Sequence, residues 1–394
     1  MDMSLVDMVV TDVRMLMVRN GAKGVRWSWT DAGWGGDWLA IANAAGEKAH
    51  FRDLKTAYLS QGPCLTDVRY DGFYGSQRDV AIKSRVQTLR TDDYARTFHT
   101  LSYAFRKPVS SRDAYFFMQG RTDQYATPVI AYGNKNGLIA ERRVPGNLKP
   151  KERFVDRLTL EGEGPWWVAF PGASATSKRD WGTGYRALVI RSYRATFAGK
   201  SYTNPTISLP LNRMEQDLPN LNLELVAPQE VALFAPGDSV EFVAEWITLP
   251  RVAEDYYGPN EAFRRHLAEN PRSWKTTHRE AAGNDLSVQA TGGSVLYRYP
   301  IEILCARPDV EVTIAGGVGF VPVSFQGLHS VQGLELYQVV DGKEIKFSQK
   351  VHGNDFWQVD YDEGSLTYRL TYNLPVGDKM QSVWRLRPAQ PSAK

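Results

Sequence analysis

The chain has 394 residues, of which 43% are hydrophobic and 23% charged, a balance typical of globular proteins and long enough for two or three domains. Its 47 basic and 44 acidic residues give a formal charge of +3, and no block of lysines and arginines occurs, so nucleic-acid binding is not predicted. No window reaches about 18 uninterrupted apolar residues, which excludes a helical membrane span.

The N-terminal segment and the two cysteines leave the cellular compartment open. The first 21 residues contain three aspartates but neither a basic region nor a small-residue cleavage site, so no secretory signal is predicted. A periplasmic or secreted location would require that a signal had been removed. Cys64 and Cys305 lie far apart and lack a partner at metal-ligand or redox spacing, which favours two buried thiols.

Short β-prone runs separated by turn residues dominate the chain and predict an all-β fold. The clearest runs are RALVIRSYRATF, LNLELV, SVEFVAEWITL, SVLYRYPIEIL, VEVTIAGG, LELYQVV and LTYRLTYNL. Helix signals are scarce. The one convincing helix covers residues 260–268, where Asn260 can cap the first turn and Pro271 stops the run.

The strands before this helix are long, polar and aromatic, whereas those after it form a compact set. This change predicts the domain organisation. We expect a large antiparallel two-sheet sandwich over residues 1–250, a connector with a short helix over 251–272, and a smaller β-sandwich over 273–394. The 11 tryptophans and 19 tyrosines belong mainly to these cores, since large all-β cores use aromatic residues heavily. The remaining rings would serve as stacking platforms for sugars.

Arginine, aspartate and tyrosine alternate along one predicted strand. Side chains two residues apart share a face of a strand, so Arg90, Asp92, Tyr94 and Arg96 form one row, with His99 on the opposite face. The arginines keep Asp92 ionised, because nearby cations favour a carboxylate. This row suits a sugar or an acidic polymer, although a cross-strand ion-pair ladder explains it without any function.

A second set of the same residue types follows at Arg121, Asp123 and Tyr125. If the two segments are neighbouring antiparallel strands, the two sets form one polar patch. Glu141 is the nearby carboxylate that could pair with Asp123 as acid and base.

The segment VRYDGFYG contains a third candidate, Tyr74. This tyrosine could bind substrate, or serve as an acid or base if Arg69 or Arg78 lowered its pKa. Asp71 and Gly72 are a hairpin-turn signal, and a turn explains the segment without any function.

The segment KVHGNDFWQVDYDEG contains several closely spaced oxygen ligands that could hold Ca²⁺. It lacks the spacing of an EF-hand, so no metal site is predicted. His352 and Asp355 could form an orienting pair, yet no nucleophile accompanies them. Trp357 is either a core residue or a contact for substrate. His50 is isolated, and no nucleotide-binding or metalloenzyme fingerprint occurs, so no cofactor is predicted.

The stretch from GPCLTDVRYDG through AERR, followed by GDSVEFVAEWITLP, resembles the large β-sheet (supersandwich) domain of galactose-mutarotase-like proteins and polysaccharide lyases. In those lyases a tyrosine, often helped by histidine and arginine, removes the proton next to a uronate carboxylate. The resemblance implies such roles for Tyr94, Tyr125, His99, Arg90 and Arg96. These lyases usually also carry an α-helical toroid, and this sequence has no helical array.

These observations favour an enzyme that cleaves a polysaccharide or oligosaccharide, including uronate-containing ones, by lyase or hydrolase chemistry. A lyase needs a cation to neutralise the carboxylate and a base, whereas a hydrolase needs two carboxylates. Two alternatives stay open: a glycan-binding protein without catalysis, and a structural protein of jelly-roll domains. A homo-oligomer is compatible with each of them.

Overall fold

The computed structural model of the chain describes residues 2–4, 9–13, 16–21, 24–31, 34–42, 49–89, 95–110, 115–122, 129–143, 153–170, 182–212, 220–250, 256–257, 275, 277–279, 281, 286–347, 350–351, 354–355 and 357–389. Its strands up to residue 257 are β1 (Asp2–Ser4), β2 (Val9–Val13), β3 (Leu16–Gly21), β4 (Gly24–Asp31), β5 (Trp34–Asp37), β6 (Ala40–Ile41), β7 (Phe51–Gln61), β8 (Leu65–Tyr74), β9 (Val80–Leu89), β10 (Ala95–Phe105), β11 (Val109–Ser110), β12 (Tyr115–Phe116), β13 (Met118–Thr122), β14 (Val129–Asn134), β15 (Gly137–Arg143), β16 (Arg153–Thr159), β17 (Trp166–Phe170), β18 (Gly182–Phe197), β19 (Lys200–Tyr202), β20 (Thr206–Asn212), β21 (Asn220–Val226), β22 (Leu233–Phe234), β23 (Ser239–Pro250) and β24 (Tyr256–Tyr257). Its later strands are β25 (Ser287–Thr291), β26 (Gly293–Arg298), β27 (Ile301–Cys305), β28 (Val310–Leu328), β29 (Leu334–Val340), β30 (Lys343–Lys346), β31 (Lys350–Val351), β32 (Asn354–Asp355), β33 (Trp357–Asp362) and β34 (Thr367–Pro388). Helix is confined to residues 275, 277–279 and 281 within the described ranges, so the prediction of an all-β protein with very little helix is confirmed.

The chain divides into two compact units, each assembled from separate stretches of sequence. Unit 1 consists of Met1–Ala57, Arg69–Val86 and Asp93–Ala281, and unit 2 consists of Tyr58–Val68, Gln87–Asp92 and Ala282–Lys394. The predicted connector and its helix at 260–268 lie outside the described residues, apart from Tyr256–Tyr257.

Most strands of unit 1 belong to two large, mainly antiparallel sheets. A seven-stranded sheet runs in the order β1-β2-β5-β13-β21-β20-β16. A thirteen-stranded sheet follows the path β15-β14-β17-β18-β23-β10-β9-β8-β7, with β19 and β4 beside β18 and with β3 between β4 and β24. Most pairings are antiparallel, and the short contact between β4 and β18 is parallel. This is the layered arrangement expected of a large β-sandwich.

An aromatic core joins the two layers of unit 1. Tyr103 of β10 donates its hydroxyl towards the backbone oxygens of Trp38 and Phe117, at 2.6 and 2.8 Å. Phe117 stacks on Phe197 of β18 with a ring-centroid distance of 6.1 Å, and Phe234 packs against both rings. The prediction that the aromatic residues belong mainly to the core holds for these rings, which are all buried.

One eight-stranded sheet forms the body of unit 2. Its path is β26-β27-β28-β34-β29-β30, with β25 against β28 and β33 against β34, and the β27–β28 pairing is parallel. One face carries a continuous apolar cluster centred on Trp384, Phe325 and Val323. Cys64 is a buried free thiol and Cys305 a partly buried one, as the sequence predicted.

The predicted β-runs coincide with observed strands. RALVIRSYRATF lies in β18, SVEFVAEWITL in β23, VEVTIAGG in β28 and LELYQVV in β29. SVLYRYPIEIL divides into β26 and β27 at Pro300, because proline has no N–H to donate to the sheet. Within the described ranges, no helix is long and apolar enough to cross a bilayer.

The turn predicted at Asp71 and Gly72 is wrong, because both residues lie inside β8. Glycine at position 72 lets the neighbouring strand β7 pass close to the β8 backbone. A Cβ at this position would come within 2.7 Å of Leu54 Cδ2 and 3.0 Å of the Arg52 carbonyl oxygen. A strand glycine often marks such a contact. The observed turn follows β8, where the N–H of Arg78 donates to the Gly75 carbonyl at 3.1 Å.

The buried side chain of Gln358 on β33 holds the early segment of unit 2 to its sheet. Its Oε1 accepts from the N–H groups of Cys64 and Leu65, both at 3.0 Å, and its Nε2 donates to the Leu65 carbonyl at 2.9 Å. Gly62 makes room for this amide, since a Cβ there would lie 2.5 Å from Gln358 Cδ.

We therefore expect Gly62→Ala to destabilise unit 2 by about 1–3 kcal/mol, the usual cost of overpacking. The new methyl group would displace the Gln358 amide and break its bonds to the backbone. Urea denaturation measures the change. The control is Gly364→Ala in the exposed turn after β33, where the nearest atom to a Cβ is Asp362 Oδ1 at 3.2 Å. An equal loss in both variants would contradict this account of Gly62.

Candidate functional site

Unit 1 contains an open groove of about 1040 Å³, which we call the Tyr74 groove. Three stretches of chain and the short segment after β10 build it. Its lining residues are Ile41, Ala42, Ala49, His50, Arg52, Tyr74, Gly75, Ser76, Gln77, Asp79, Val80, Lys107, Pro108, Val109 and Ser110. The volume is at the upper end of the range for small-molecule pockets, which suits a ligand with several linked units.

Tyr74 forms part of the floor and is buried. Its hydroxyl accepts from the N–H of Ile41 at 3.0 Å and lies 3.3 Å from the carbonyl oxygen of the same residue. Phe51 packs edge-on against its ring at a centroid distance of 5.0 Å. Both polar bonds go to backbone, so Tyr74 holds β6 in place and shapes the groove.

A tight turn after β8 forms one wall. Gly75 has φ +91°, and a Cβ at this position would come within 2.1 Å of Asp79 Oδ2, so only glycine fits. The N–H of Gly75 donates to the His50 carbonyl at 3.1 Å, which attaches the His50 segment to the turn. The N–H of Arg106 donates to the Asp79 carbonyl at 2.8 Å.

Two residues beside this wall adopt the left-handed conformation that is uncommon outside glycine. They are Asp53 and Arg78, with φ of +52° and +58°. Their side chains form an ion pair, with Nη2 of Arg78 2.7 Å from Oδ2 of Asp53. Such residues cluster at ligand-binding positions, where the surrounding structure holds the strain.

The rim of the groove is polar and mostly exposed. Arg52 and Lys107 supply two cations, and Asp79 is the one carboxylate among the described lining residues. Lys107 donates to the side-chain oxygen of Gln77. His50 and Arg52 are two residues apart at the start of β7, and both line the groove. The rim can therefore neutralise an anionic ligand and hydrogen-bond its hydroxyl groups.

Several site residues predicted from sequence lie outside the described residues: Arg90, Asp92, Tyr94, Asp123 and Tyr125. For Arg121 the structure gives the backbone position, opposite Asn222 and Gly35 in β13. The strands that border the two Arg-Asp-Tyr sets, β10 and β13, belong to different sheets. The two sets themselves lie almost entirely outside the described residues, so their joining into one polar patch stays a prediction.

Arg96 lies in the core of unit 1 and not on an open surface. Its Nε donates to Oε1 of Glu245, whose side chain is also fully buried. Arg191 reaches the other oxygen of Glu245 from β18, through Nε at 2.8 Å and Nη2 at 2.5 Å. Both guanidinium groups lie over the ring of Phe98, at 5.7 and 5.5 Å from its centroid.

His99 lies on the other face of β10, also fully buried. Its Nε2 is 3.0 Å from the Thr97 hydroxyl, and its ring lies against Trp38 and Trp246 at centroid distances of 5.6 and 5.1 Å. Burial lowers the pKa of His99 to about 3, so the imidazole is neutral in the folded protein. A neutral, enclosed ring does not contact a ligand in the Tyr74 groove.

The other predicted site residues are separated from one another. Glu141 is exposed on β15, and Trp357 is half exposed on β33 of unit 2. Tyr74 is the predicted residue that lines the groove. Sequence analysis missed His50, Arg52 and Lys107. The signal for the first two was the alternation of polar residues at the start of β7, but Lys107 is brought there by the fold.

No family model matches the chain, and no curated protein matches it. Solved structures that align with part of it include the alpha-galactosidase from Lactobacillus brevis, with a TM-score of 0.32, 8% identity and coverage of 54% of this chain and 29% of that one. A GH36 alpha-galactosidase from Geobacillus stearothermophilus aligns with a TM-score of 0.35, 6% identity and coverage of 65% and 41%.

The galactosidase domain of an alpha-galactosidase-sucrose kinase aligns with a TM-score of 0.32, 10% identity and coverage of 54% and 30%. The chain thus spans about 30–40% of the length of the structures it aligns with. At these TM-scores and identities, the function of the chain has to be argued from its own residues.

Proposed function

We propose that this chain binds an acidic polysaccharide or oligosaccharide, such as one containing uronates, in the Tyr74 groove. The observation that carries the proposal is the lining of an open 1040 Å³ groove by Arg52 and Lys107 together with amide, hydroxyl and imidazole groups. Cations neutralise the sugar carboxylates, while Gln77 and the other polar groups hydrogen-bond the hydroxyls. The near-neutral charge of the whole chain argues against a nucleic-acid ligand for the same groove.

The lining favours binding, or lyase chemistry, over hydrolysis. Hydrolysis of a glycosidic bond needs two carboxylates on either side of the bond. Among the lining residues that the structure describes, Asp79 is the single carboxylate. Glu141, which the sequence suggested as a partner for Asp123, does not line this groove.

Arg52→Gln and Lys107→Gln are each expected to weaken binding of uronate oligosaccharides about tenfold, since a charge-assisted hydrogen bond contributes roughly 1.5–3 kcal/mol. Isothermal titration calorimetry with defined uronate oligomers measures the change. Binding by the unmodified protein should weaken with salt, because the contacts of Arg52 and Lys107 with the sugar carboxylates are ionic.

Arg69→Gln and Lys83→Gln provide matched controls. Both residues are exposed on neighbouring strands of unit 1 and lie outside the groove lining. Their replacement removes the same charge and should leave affinity unchanged. The proposal fails if all four variants weaken binding equally, or if no uronate oligomer binds.

A second candidate is β-elimination within the same groove, which the placement of His50 beside Arg52 favours. Arg52 would neutralise the uronate carboxylate, and the His50 imidazole would take the proton from the adjacent carbon. The C–O bond at the next carbon would then break, leaving a double bond in one product, and the departing oxygen would gain a proton. An assay for ultraviolet-absorbing unsaturated products with the unmodified protein and His50→Gln tests this step. Binding without such products would leave the chain a glycan-binding protein.

A further inference from the structure

Unit 2 carries two exposed aromatic rings on one face of an edge strand. Trp357 is 52% exposed and Tyr361 is 51% exposed, and they lie four positions apart along β33. Side chains four apart in a strand share a face and lie about 13 Å from each other. Among the described pairings, β33 pairs with β34 alone.

Each of these rings has an aromatic partner on the neighbouring strand. Trp357 lies opposite Tyr372 and Tyr361 lies opposite Tyr368 in an uninterrupted register. The rings of Tyr361 and Tyr368 are 4.9 Å apart between centroids. Tyr368 and Tyr372 pack partly against the apolar core of the unit. We call these four residues the Trp357 platform. Tyr368 and Tyr372 form its inner, partly buried side, and Trp357 and Tyr361 form its exposed rim.

The opposite face of β33 is firmly held. Gln358 bonds to the backbone of residues 64 and 65, and its Nε2 also donates to Asp360 at 2.8 Å. The other oxygen of Asp360 accepts from the N–H of Gln61 at 2.9 Å. Polar bonds on one side thus fix the strand that presents the rings on the other, and a fixed surface loses little entropy when it binds.

The charge around the platform limits what it can bind. The hairpin that follows Tyr361 exposes two carboxylates, Asp362 and Glu363. Hydrogen bonds from Ser365 and the N–H of Gly364 lower the pKa of Asp362, so it is ionised at neutral pH. An anionic ligand would be repelled, whereas the hydroxyl groups of a neutral sugar can donate to these carboxylates.

We propose that the Trp357 platform is a second glycan-binding surface, which takes a neutral oligosaccharide chain by stacking sugar rings on Trp357 and Tyr361. Aromatic rings with one exposed face offer large contact area to the C–H face of a sugar, and their spacing along β33 matches a ligand of several linked rings. The platform differs from the Tyr74 groove in position, in charge and in the class of glycan.

The test measures binding of the full chain to neutral gluco-, xylo- and manno-oligosaccharides by titration calorimetry. Trp357→Ala and Tyr361→Ala should each weaken binding about tenfold, as truncation of a central aromatic contact usually does. Tyr297→Ala is the control, since Tyr297 is an equally exposed tyrosine of unit 2 on β26. Arg52→Gln should leave neutral-glycan binding unchanged, so failure of the platform and failure of the groove are distinguishable.

Three results would overturn the proposal. The first is that no neutral oligosaccharide of the panel binds. The second is that both platform variants bind as well as the unmodified protein while their thermal unfolding is unchanged. The third is that Trp357→Ala alters the oligomeric state measured by light scattering without any effect on glycan affinity, which would assign the rings to a contact between copies of the chain.

Discussion

Glu245→Ala is expected to destabilise unit 1 by about 3–5 kcal/mol, the largest loss we anticipate for any single replacement of a charged residue here. Glu245 is fully buried and accepts from Arg96, which is also fully buried, and from Arg191, whose side chain is 17% exposed. Removing the carboxylate leaves two guanidinium groups without their shared anion in a medium of low polarity. Water cannot solvate Arg96 there, so the cost is much larger than that of a surface ion pair.

Glu241 provides a close control for this effect. It lies four residues earlier on β23 and pairs with Arg194 of β18 at 2.7 Å, but both side chains are largely exposed. Glu241→Ala should change the free energy of unfolding by less than about 0.5 kcal/mol. Urea denaturation of both variants gives the comparison. A loss below about 1 kcal/mol for Glu245→Ala would show that the guanidinium groups find other partners or reach water.

His99 is expected to make the stability of unit 1 fall steeply in acid. Because its pKa is about 3 in the folded protein and about 6.5 when unfolded, the unfolded chain binds a proton between these values that the folded chain does not. Stability therefore decreases as the pH falls through this window, by about 1.4 kcal/mol per pH unit. From pH 7 to pH 4 the contribution of His99 is about 3 kcal/mol.

Comparison of variants isolates this contribution from that of the carboxylates, which also titrate in acid. His99→Phe keeps a ring between Trp38 and Trp246 but cannot bind a proton, so it should lose about 3 kcal/mol less than the unmodified protein from pH 7 to pH 4. The explanation fails if the His99→Phe curve runs parallel to that of the unmodified protein.

Much of the fold is predictable from sequence, because strand patterns depend on neighbours along the chain. Runs such as SVEFVAEWITL contain their own alternation, and they became strands at the expected positions. Gly72 shows where prediction of the fold from sequence fails. Its signal is shared by turns and by strand positions where another backbone passes closely, and only the contact with Leu54 decides between them.

The candidate site is much less predictable, and β10 shows why. Alternation states which residues share a face, but it does not state which face meets water. From Arg96 to His99 the side chains on both faces of β10 are buried. Neither Arg96, at the end of the expected polar row, nor His99, on the opposite face, therefore lies on an open surface. The Tyr74 groove combines Arg52, Tyr74 and Lys107, which have no periodic relation in the sequence. The positive charge at the rim of the Tyr74 groove therefore exists only once the fold has brought β7, β8 and the end of β10 together.

The distance in sequence between the parts of unit 2 also affects when this unit can fold. Its hydrogen bond between Gln358 and Cys64 joins residues that are 294 positions apart. At ordinary rates of translation, the ribosome needs on the order of tens of seconds to synthesise the chain between them. Until then residues 58–68 lack the Gln358 side chain that holds them within unit 2, and closing so long a loop makes folding slow. We expect refolding of unit 2 to be slow for this reason, as the recovery of tryptophan fluorescence after dilution from urea would measure.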